Sequence, residues 1–121
     1  MKEPGLENVR KKMEKVVIAF DIDGTLRCNC TATCQDRNEP YCQLVEIFAR
    51  HFKNVRVIAW SGGGKPYCET QVRMLGLSEF IPPERCHAKL NYYMKNGQVP
   101  IAVDDIQDTA LGIFSLIVRA K

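Results

Sequence analysis

Apolar residues along the chain form short blocks whose spacing alternates between the patterns of strands and of helices. The continuous apolar run over residues 16–20, rich in β-branched residues, predicts a strand buried on both faces, and mostly apolar runs predict further strands over residues 55–60 and 99–103. Apolar residues three and four positions apart predict helices over residues 42–52, 66–76 and 88–95. A short helix and a last strand are predicted over residues 109–114 and 116–119. Strands that alternate with helices indicate an α/β fold, in which helices cover both faces of a parallel sheet.

A chain of 121 residues suffices for one domain, which we expect to span residues 16–121. Its expected form is a Rossmann-like three-layer sandwich with a parallel sheet of about five strands. Residues 1–15 carry apolar positions at helical spacing among charged ones, which predicts either a short amphipathic helix or a disordered extension.

Charge and hydropathy narrow the classes of function. The formal charge of +3 permits an anionic substrate but falls short of the basic field of a dedicated nucleic-acid binder. No apolar run approaches the roughly 18 residues of a membrane span, and no secretory signal is visible at the N-terminus. We therefore expect a cytoplasmic protein.

Polar residues end the predicted strands, where open parallel sheets bind their ligands. These residues are Asp21, Ser61 and Asp104. Asp21 begins the run Asp-Ile-Asp-Gly-Thr-Leu, in which a turn at Gly24 can bring the carboxylates of Asp21 and Asp23 into one pocket. One carboxylate can then attack a phosphoryl group while the other acts as acid and base. The alternative is a turn that only ends the strand, because Asp and Gly are common turn formers.

Residues 27–41 show neither the helical nor the strand spacing of apolar residues, which predicts a long loop. Four cysteines that follow the Asp-Gly turn could hold one structural Zn²⁺: Cys28, Cys30, Cys34 and Cys42. Their spacings differ from the paired Cys-x2-Cys of common zinc sites, so free, partly buried thiols are the alternative. Arg27 and Arg37 lie in the same loop and favour a polyanionic or nucleotide substrate, unless they are merely solvated. Cys68, in a predicted helix, is expected in the core.

The order of these motifs resembles the haloacid dehalogenase superfamily of phosphohydrolases. Residues 16–26 match its first motif, a hydrophobic strand followed by Asp-x-Asp-Gly-Thr-Leu, and residues 55–61 match its second, a strand that ends in Ser or Thr. The later motifs of the family, a Lys and then a strand that ends in acidic residues, are matched by Lys89, Asp104 and Asp105, with Asp108 following. The resemblance covers residues 16–119, nearly the whole chain.

The resemblance implies a role for each matched residue. Asp21 would be the nucleophile and a Mg²⁺ ligand, and Asp23 the general acid and base, with its backbone carbonyl as a further ligand. Asp104 would complete the metal site, with Asp105 or Asp108 beside it. The phosphoryl group would be bound by the residues between and after these carboxylates: Gly24, Thr25, Ser61, Gly62 and Lys89.

Lys65 is a rival to Lys89 for neutralising the phosphate, because it follows the glycines beside Ser61. Lys89 itself could be a solvated helix lysine. The run Gly-Gly-Gly-Lys ending at Lys65 departs from P-loop spacing and is followed by Pro66 rather than Ser or Thr. We therefore do not expect nucleoside triphosphates to bind there.

These observations predict a Mg²⁺-dependent phosphomonoesterase with an aspartyl-phosphate intermediate and a minimal cap or none. An open site of this kind accepts the phosphorylated end of a large substrate such as a nucleic acid, or is closed by a neighbouring subunit of a homo-oligomer that supplies a cap. Two alternatives belong to other classes. The chain could be a catalytically idle binding domain with the same fold, or a zinc-stabilised interaction module built on the cysteine loop.

Overall fold

The computed structural model describes residues 15–28, 37–105 and 111–117, which form five strands and three helices. The strands are β1 Val16–Asp21, β2 Val55–Ser61, β3 Cys86–Ala88, β4 Val99–Asp104 and β5 Gly112–Ile117. The helices are α1 Glu39–His51, α2 Lys65–Met74 and α3 Lys89–Asn96. A single 3-10 turn at Pro83–Arg85 leads into β3.

All five strands pair in parallel, in the order β3-β2-β1-β4-β5. The chain moves from the central strand β1 outward through β2 to β3, then returns to the other side of β1 for β4 and β5. The direction of winding therefore reverses between β1 and β4. In doubly wound sheets this reversal opens a crevice at the carboxyl ends of the two strands, and ligands bind there.

Helices cover both faces of the sheet, as the alternating pattern predicts. Buried residues of α1 and α2 pack with Ile18 and Phe20 of β1 on one face. On the other face Tyr92 and Tyr93 of α3 pack against a cluster that contains Ala19 and the fully buried Trp60. Successive strand residues thus enter opposite clusters, because side chains alternate across a strand. The α/β three-layer fold expected from the sequence is confirmed.

Helix α1 begins at Glu39, ahead of the predicted start at residue 42, so the predicted loop over residues 27–41 is too long. The prediction treated Pro40 as a loop residue, but Pro40 lies in the first turn of α1. A proline there loses nothing, because the first N–H groups of a helix have no partner within the helix.

Residues 112–114 were predicted as helix but belong to β5, which is a correction. Gly112 pairs with Val99, and a Cβ at Gly112 would lie 2.8 Å from the Cβ of Ala102. The glycine therefore lets β5 approach β4 closely, and tertiary pairing overrides the local pattern. Strand β3 was not predicted, because so short a segment shows no periodicity.

Several predicted features lie outside the described residues: the N-terminal helix or extension, Cys30, Cys34 and Asp108. Among the helices that the structure describes, none combines the length and the apolar character needed to cross a bilayer.

Candidate active site

Three neighbouring strands end in polar residues at the carboxyl edge of the sheet. Asp21 ends β1, Ser61 ends β2 and Asp104 ends β4. Phe20 pairs with Val103 and Asp21 with Trp60, so the three strand ends lie at nearly the same level. Their exposed fractions are only 7% for Asp21, 2% for Ser61 and 6% for Asp104. The structure therefore brings these predicted residues together at the crevice where the winding reverses.

Lys89, the first residue of α3, contacts the carboxylates of Asp21 and Asp104. Its Nζ lies 2.6 Å from Oδ2 of Asp104 and 3.2 Å from Oδ1 of Asp21. Burial disfavours the charge of Lys89, yet the hydrogen bond to Asp104 and the nearby Asp21 carboxylate leave its pKa above the ordinary value. Lys89 is therefore a partly buried cation held between the ends of β1 and β4.

Asp105 adds a third carboxylate. Oxygen atoms of Asp21, Asp104 and Asp105 all lie within 4.8 Å of one another. Burial raises the pKa of Asp21 to about 7 against the opposing effect of Lys89, and the Asp104 carboxylate makes a smaller contribution in the same direction as burial. Burial and the Asp104 carboxylate also raise the pKa of Asp105. The cluster thus carries more potential negative charge than the Lys89 ammonium balances.

The donor set of this cluster fits a divalent cation. Carboxylate oxygens are the hard ligands that Mg²⁺ prefers. Oδ1 of Asp105 is buried and has no hydrogen-bond partner, so its cost of desolvation is not offset by any described protein group. A cation coordinated by Asp21, Asp104 and Asp105 would supply the missing partner and relieve the mutual repulsion of the three carboxylates.

Gly24 allows the turn after β1 to approach this cluster. Its φ of 81° lies in the left-handed region, and a Cβ at Gly24 would collide with the Asp105 carboxylate. The turn is closed by two backbone hydrogen bonds of 2.9 Å, from Gly24 N–H to the Arg27 carbonyl and from Arg27 N–H to the Ile22 carbonyl. The need for glycine here is thus both conformational and steric.

The same turn presents Asp23, whose carboxylate is held by two groups that the sequence did not predict in this role. The Tyr67 hydroxyl, from α2, donates a 2.8 Å hydrogen bond to Oδ1 of Asp23. Nη2 of Arg27 lies 3.1 Å from the same oxygen. The Asp23 side chain is 43% exposed, so it remains open to solvent at the rim of the site. Nothing in the local spacing distinguishes Tyr67 from an ordinary core tyrosine.

The predicted phosphoryl-binding residues lie at the same edge. The Gly63 N–H donates a 3.0 Å hydrogen bond to Oγ of the buried Ser61. Gly62 is exposed, with open space where a side chain would be. Thr25 is fully buried, and its Oγ1 has no hydrogen-bond partner.

Lys65 makes its contacts away from the carboxylates of Asp21, Asp104 and Asp105. Its Nζ donates hydrogen bonds of 2.7 and 2.8 Å to the carbonyls of Pro83 and Cys86, and it lies 3.2 Å from Oε1 of Glu69. Lys65 therefore ties the start of α2 to the start of β3. Of the two rival lysines, Lys89 is the one placed beside Asp21.

The two loop arginines are engaged within the protein rather than merely solvated. Arg27 pairs with Asp23, while Arg37 donates hydrogen bonds of 2.8 Å to Glu39 and 2.6 Å to the Leu75 carbonyl. These contacts remove most of the support that Arg27 and Arg37 lent to a polyanionic substrate at this site.

The described cysteines behave as buried or partly buried thiols. Cys42 donates a 3.3 Å hydrogen bond to the Leu26 carbonyl, and burial raises its pKa to about 11. Cys28 is half-buried, and Cys68 of α2 is buried in the core of the protein, as predicted. Because Cys30 and Cys34 lie outside the described residues, a structural zinc site at the four cysteines stays a prediction.

Comparison with protein-family models, with curated proteins and with solved structures found no match to this chain.

Proposed function

We propose that the chain is a Mg²⁺-dependent phosphomonoesterase that forms an aspartyl-phosphate intermediate on Asp21. One observation carries the proposal: Lys89 lies between Asp21 and Asp104, beside a third carboxylate, at the crevice where the sheet reverses its winding. A phosphoryl group needs a nucleophile and nearby positive charge, and this arrangement provides both.

Asp21, Asp104 and Asp105 are the residues that would hold Mg²⁺, together with the Asp23 backbone carbonyl that the family resemblance implies. When bound, the ion supplies positive charge to the phosphoryl oxygens and favours the ionised form of Asp21. Lys89 contributes a second positive charge from the protein itself. The Asp105 oxygen that lacks a hydrogen-bond partner would gain a partner in the ion.

The chain's own residues account for both chemical steps. In the first step, a carboxylate oxygen of Asp21 attacks phosphorus, the bond from phosphorus to the ester oxygen breaks, and Asp23 donates a proton to that oxygen. In the second step, Asp23 removes a proton from a water molecule that attacks the phosphorus of the acyl phosphate. The bond to Asp21 breaks, inorganic phosphate leaves, and both carboxyl groups return to their starting states.

Positioning of Asp23 follows from its contacts. Tyr67 and Arg27 both hold Oδ1, so the carboxylate is fixed at the rim of the site while its other oxygen can carry the transferred proton. Ser61 lies at the end of the neighbouring strand, where its hydroxyl can donate to a phosphoryl oxygen while it accepts from Gly63.

The proposal is tested by release of phosphate from an aryl phosphate with Mg²⁺ or with EDTA, combined with trapping of the intermediate. Borohydride added during turnover reduces an acyl phosphate, so Asp21 should be converted to homoserine, which mass spectrometry of the peptide detects. Asp21→Asn is the control and should show neither turnover nor trapping. Hydrolysis at the wild-type rate by Asp21→Asn, or full activity in EDTA, would show that the mechanism is wrong.

A further inference from the structure

A concave surface lies at the amino ends of β1 and β2, opposite the carboxyl ends that carry Asp21 and Ser61. It is a cleft of about 540 Å³ bordered by Lys15, which precedes β1, and by the first residues of β2. Asp21 and Ser61 end these same strands. With a rise of about 3.3 Å per residue, Val16 and Asp21 are roughly 17 Å apart along β1. The cleft is therefore separate from the candidate active site.

The cleft exists because β3 is short. β3 pairs with Ala59, Trp60 and Ser61 of β2, so no described strand lies beside residues 55–58 on the side away from β1. The end of α1 and the segment around Phe80 border this notch in place of a strand. A gap at the sheet edge is thus built into the fold.

Cationic side chains concentrate around the notch. Five basic residues line it, from four separate parts of the chain: Lys15, Arg50, Lys53, Arg56 and Arg85. Glu79 is the one acidic residue of the lining. Arg50 is also paired with Glu46, with 3.3 Å between Nη2 and Oε1, so the net positive charge of the notch comes from the other four basic side chains, which outnumber Glu79. Like charges gathered at one place repel each other, and a bound polyanion would relieve that repulsion.

Two aromatic rings lie among these cations. The Arg50 guanidinium is 5.2 Å from the centroid of the Phe80 ring. Phe52 is 45% exposed and its ring centroid lies 5.5 Å from that of Phe48. Exposed aromatic rings beside basic groups are the combination on which nucleobases stack while their phosphates meet positive charge.

We infer that this cleft binds a nucleotide with several phosphate groups, with the phosphates on the basic side chains and the base against Phe52. The volume falls in the range of roughly 300–1,000 Å³ that small-molecule sites occupy. The cations surround one notch rather than form a continuous track, which favours a small polyanion over a nucleic-acid strand. The inference does not depend on the phosphatase activity proposed for Asp21.

Isothermal titration of the full chain with ATP in EDTA tests the inference, because without metal the carboxylate site should repel phosphates. AMP and inorganic tripolyphosphate are titrated in parallel. ATP should bind at least tenfold more tightly than AMP, which has fewer charges. It should also bind several-fold more tightly than tripolyphosphate, which has no base.

Variants locate the binding. Lys53→Gln combined with Arg56→Gln should weaken ATP binding about tenfold or more. The double variant Arg73→Gln with Lys95→Gln changes the net charge equally at exposed positions outside the cleft, and its affinity for ATP should match that of the unmodified chain. Phe52→Leu should weaken ATP several-fold and leave tripolyphosphate unchanged.

Three results would overturn the inference. Equal weakening by the two double variants would mean attraction to net charge alone, and equal affinities for ATP and tripolyphosphate would remove the base from recognition. A twelve-nucleotide single strand that binds far more tightly than ATP, with the loss confined to the Lys53 and Arg56 variant, would identify the ligand as nucleic acid instead.

Discussion

The Tyr67 hydroxyl donates a 2.8 Å hydrogen bond to Oδ1 of Asp23 and so connects α2 to the turn that follows β1. Asp23 is otherwise an exposed side chain on a turn, and without such contacts it would sample several rotamers. A group that must give a proton to one atom and later take one from water needs a fixed position. The hydrogen bond therefore gives Tyr67 a positioning role in the proposed reaction.

Tyr67→Phe should lower kcat on alkyl phosphates about tenfold, because those leaving groups need protonation by a well-placed Asp23. On activated aryl phosphates, which leave without a proton, the loss should be within about threefold. Steady-state kinetics on both substrates measures the difference. Tyr93→Phe removes a hydroxyl from α3 and should change neither rate. Equal losses on the two substrates would contradict a positioning role for Tyr67.

Lys89→Met should abolish measurable turnover, whereas Lys65→Met should keep activity within about threefold. Lys89 contacts Asp21 and Asp104, and its removal leaves buried carboxylates unpaired at a cost of about 3–5 kcal/mol. Lys65→Met loses hydrogen bonds to two backbone carbonyls, at about 1 kcal/mol each. Thermal unfolding is measured beside kcat so that rates are compared below each Tm. A reversed order of activity would assign the phosphate-neutralising role to Lys65.

Removal of metal ions should abolish the proposed release of phosphate, and added Mg²⁺ should restore it. Ca²⁺ should not, because its larger radius and looser coordination misplace the nucleophile relative to phosphorus. Asp104→Asn should raise the Mg²⁺ concentration for half-maximal activity at least tenfold, because a charged ligand becomes neutral. Titration of activity with Mg²⁺ measures this. An unchanged Mg²⁺ requirement would remove Asp104 from the metal site.

Asp21→Asn should stabilise the metal-free protein at pH 8 by on the order of a few kcal/mol. Burial raises the pKa of Asp21 from 3.8 in model compounds to about 7, so the folded state prefers the protonated form. Between about pH 4 and pH 7 the unfolded chain has lost this proton while the folded protein still binds it, so the free energy of unfolding falls as the pH rises. Above pH 7 both states are deprotonated at Asp21, and the free energy of unfolding levels off. The asparagine does not titrate.

Thermal unfolding in EDTA at pH 5 and pH 8 measures the effect of Asp21→Asn. The gain in Tm should be larger at pH 8 than at pH 5. With saturating Mg²⁺ at pH 8 the order should reverse, because the variant has lost a charged ligand. An equal gain in Tm at both pH values would contradict a raised pKa for the buried Asp21 carboxylate.

Much of the fold, and the identity of the polar residues that end three of its strands, follow from local patterns. Buried parallel strands are mostly apolar runs, so β1, β2 and β4 can be predicted from the sequence. The polar residue that ends each of these strands can therefore be identified without any knowledge of tertiary contacts. β3 is too short to show a period, and β5 is defined by its pairing with β4 rather than by its own residues. Contacts that join distant segments leave no local pattern.

The choice between the two lysines illustrates that limit. Both lysines follow a strand of the sheet, and only the three-dimensional path of the chain turns Lys65 toward Pro83 and Lys89 toward Asp21. The Tyr67 contact likewise spans 44 positions of the sequence. The basic cleft has the same origin, since its five cations come from segments that meet only where β3 fails to extend along β2.

Gly24→Ala separates the steric role of this glycine from its conformational one, and Gly97→Ala is its matched control. Both glycines have positive φ, 81° and 76°, which residues with a Cβ rarely adopt, so either alanine strains the backbone by on the order of 1–3 kcal/mol. A Cβ at Gly24 also collides with the Asp105 carboxylate, whereas a Cβ at Gly97 meets nothing within 4 Å. We therefore expect both variants to be less stable than the unmodified chain, and the collision adds a second cost at Gly24 only. Only Gly24→Ala should weaken Mg²⁺ binding, by tenfold or more, because the displaced Asp105 no longer meets Asp21 and Asp104. Chemical denaturation measures the stabilities, and calorimetric titration with Mg²⁺ measures the affinities. Equal Mg²⁺ affinities in the two variants would show that the approach of the turn to Asp105 plays no part in the metal site.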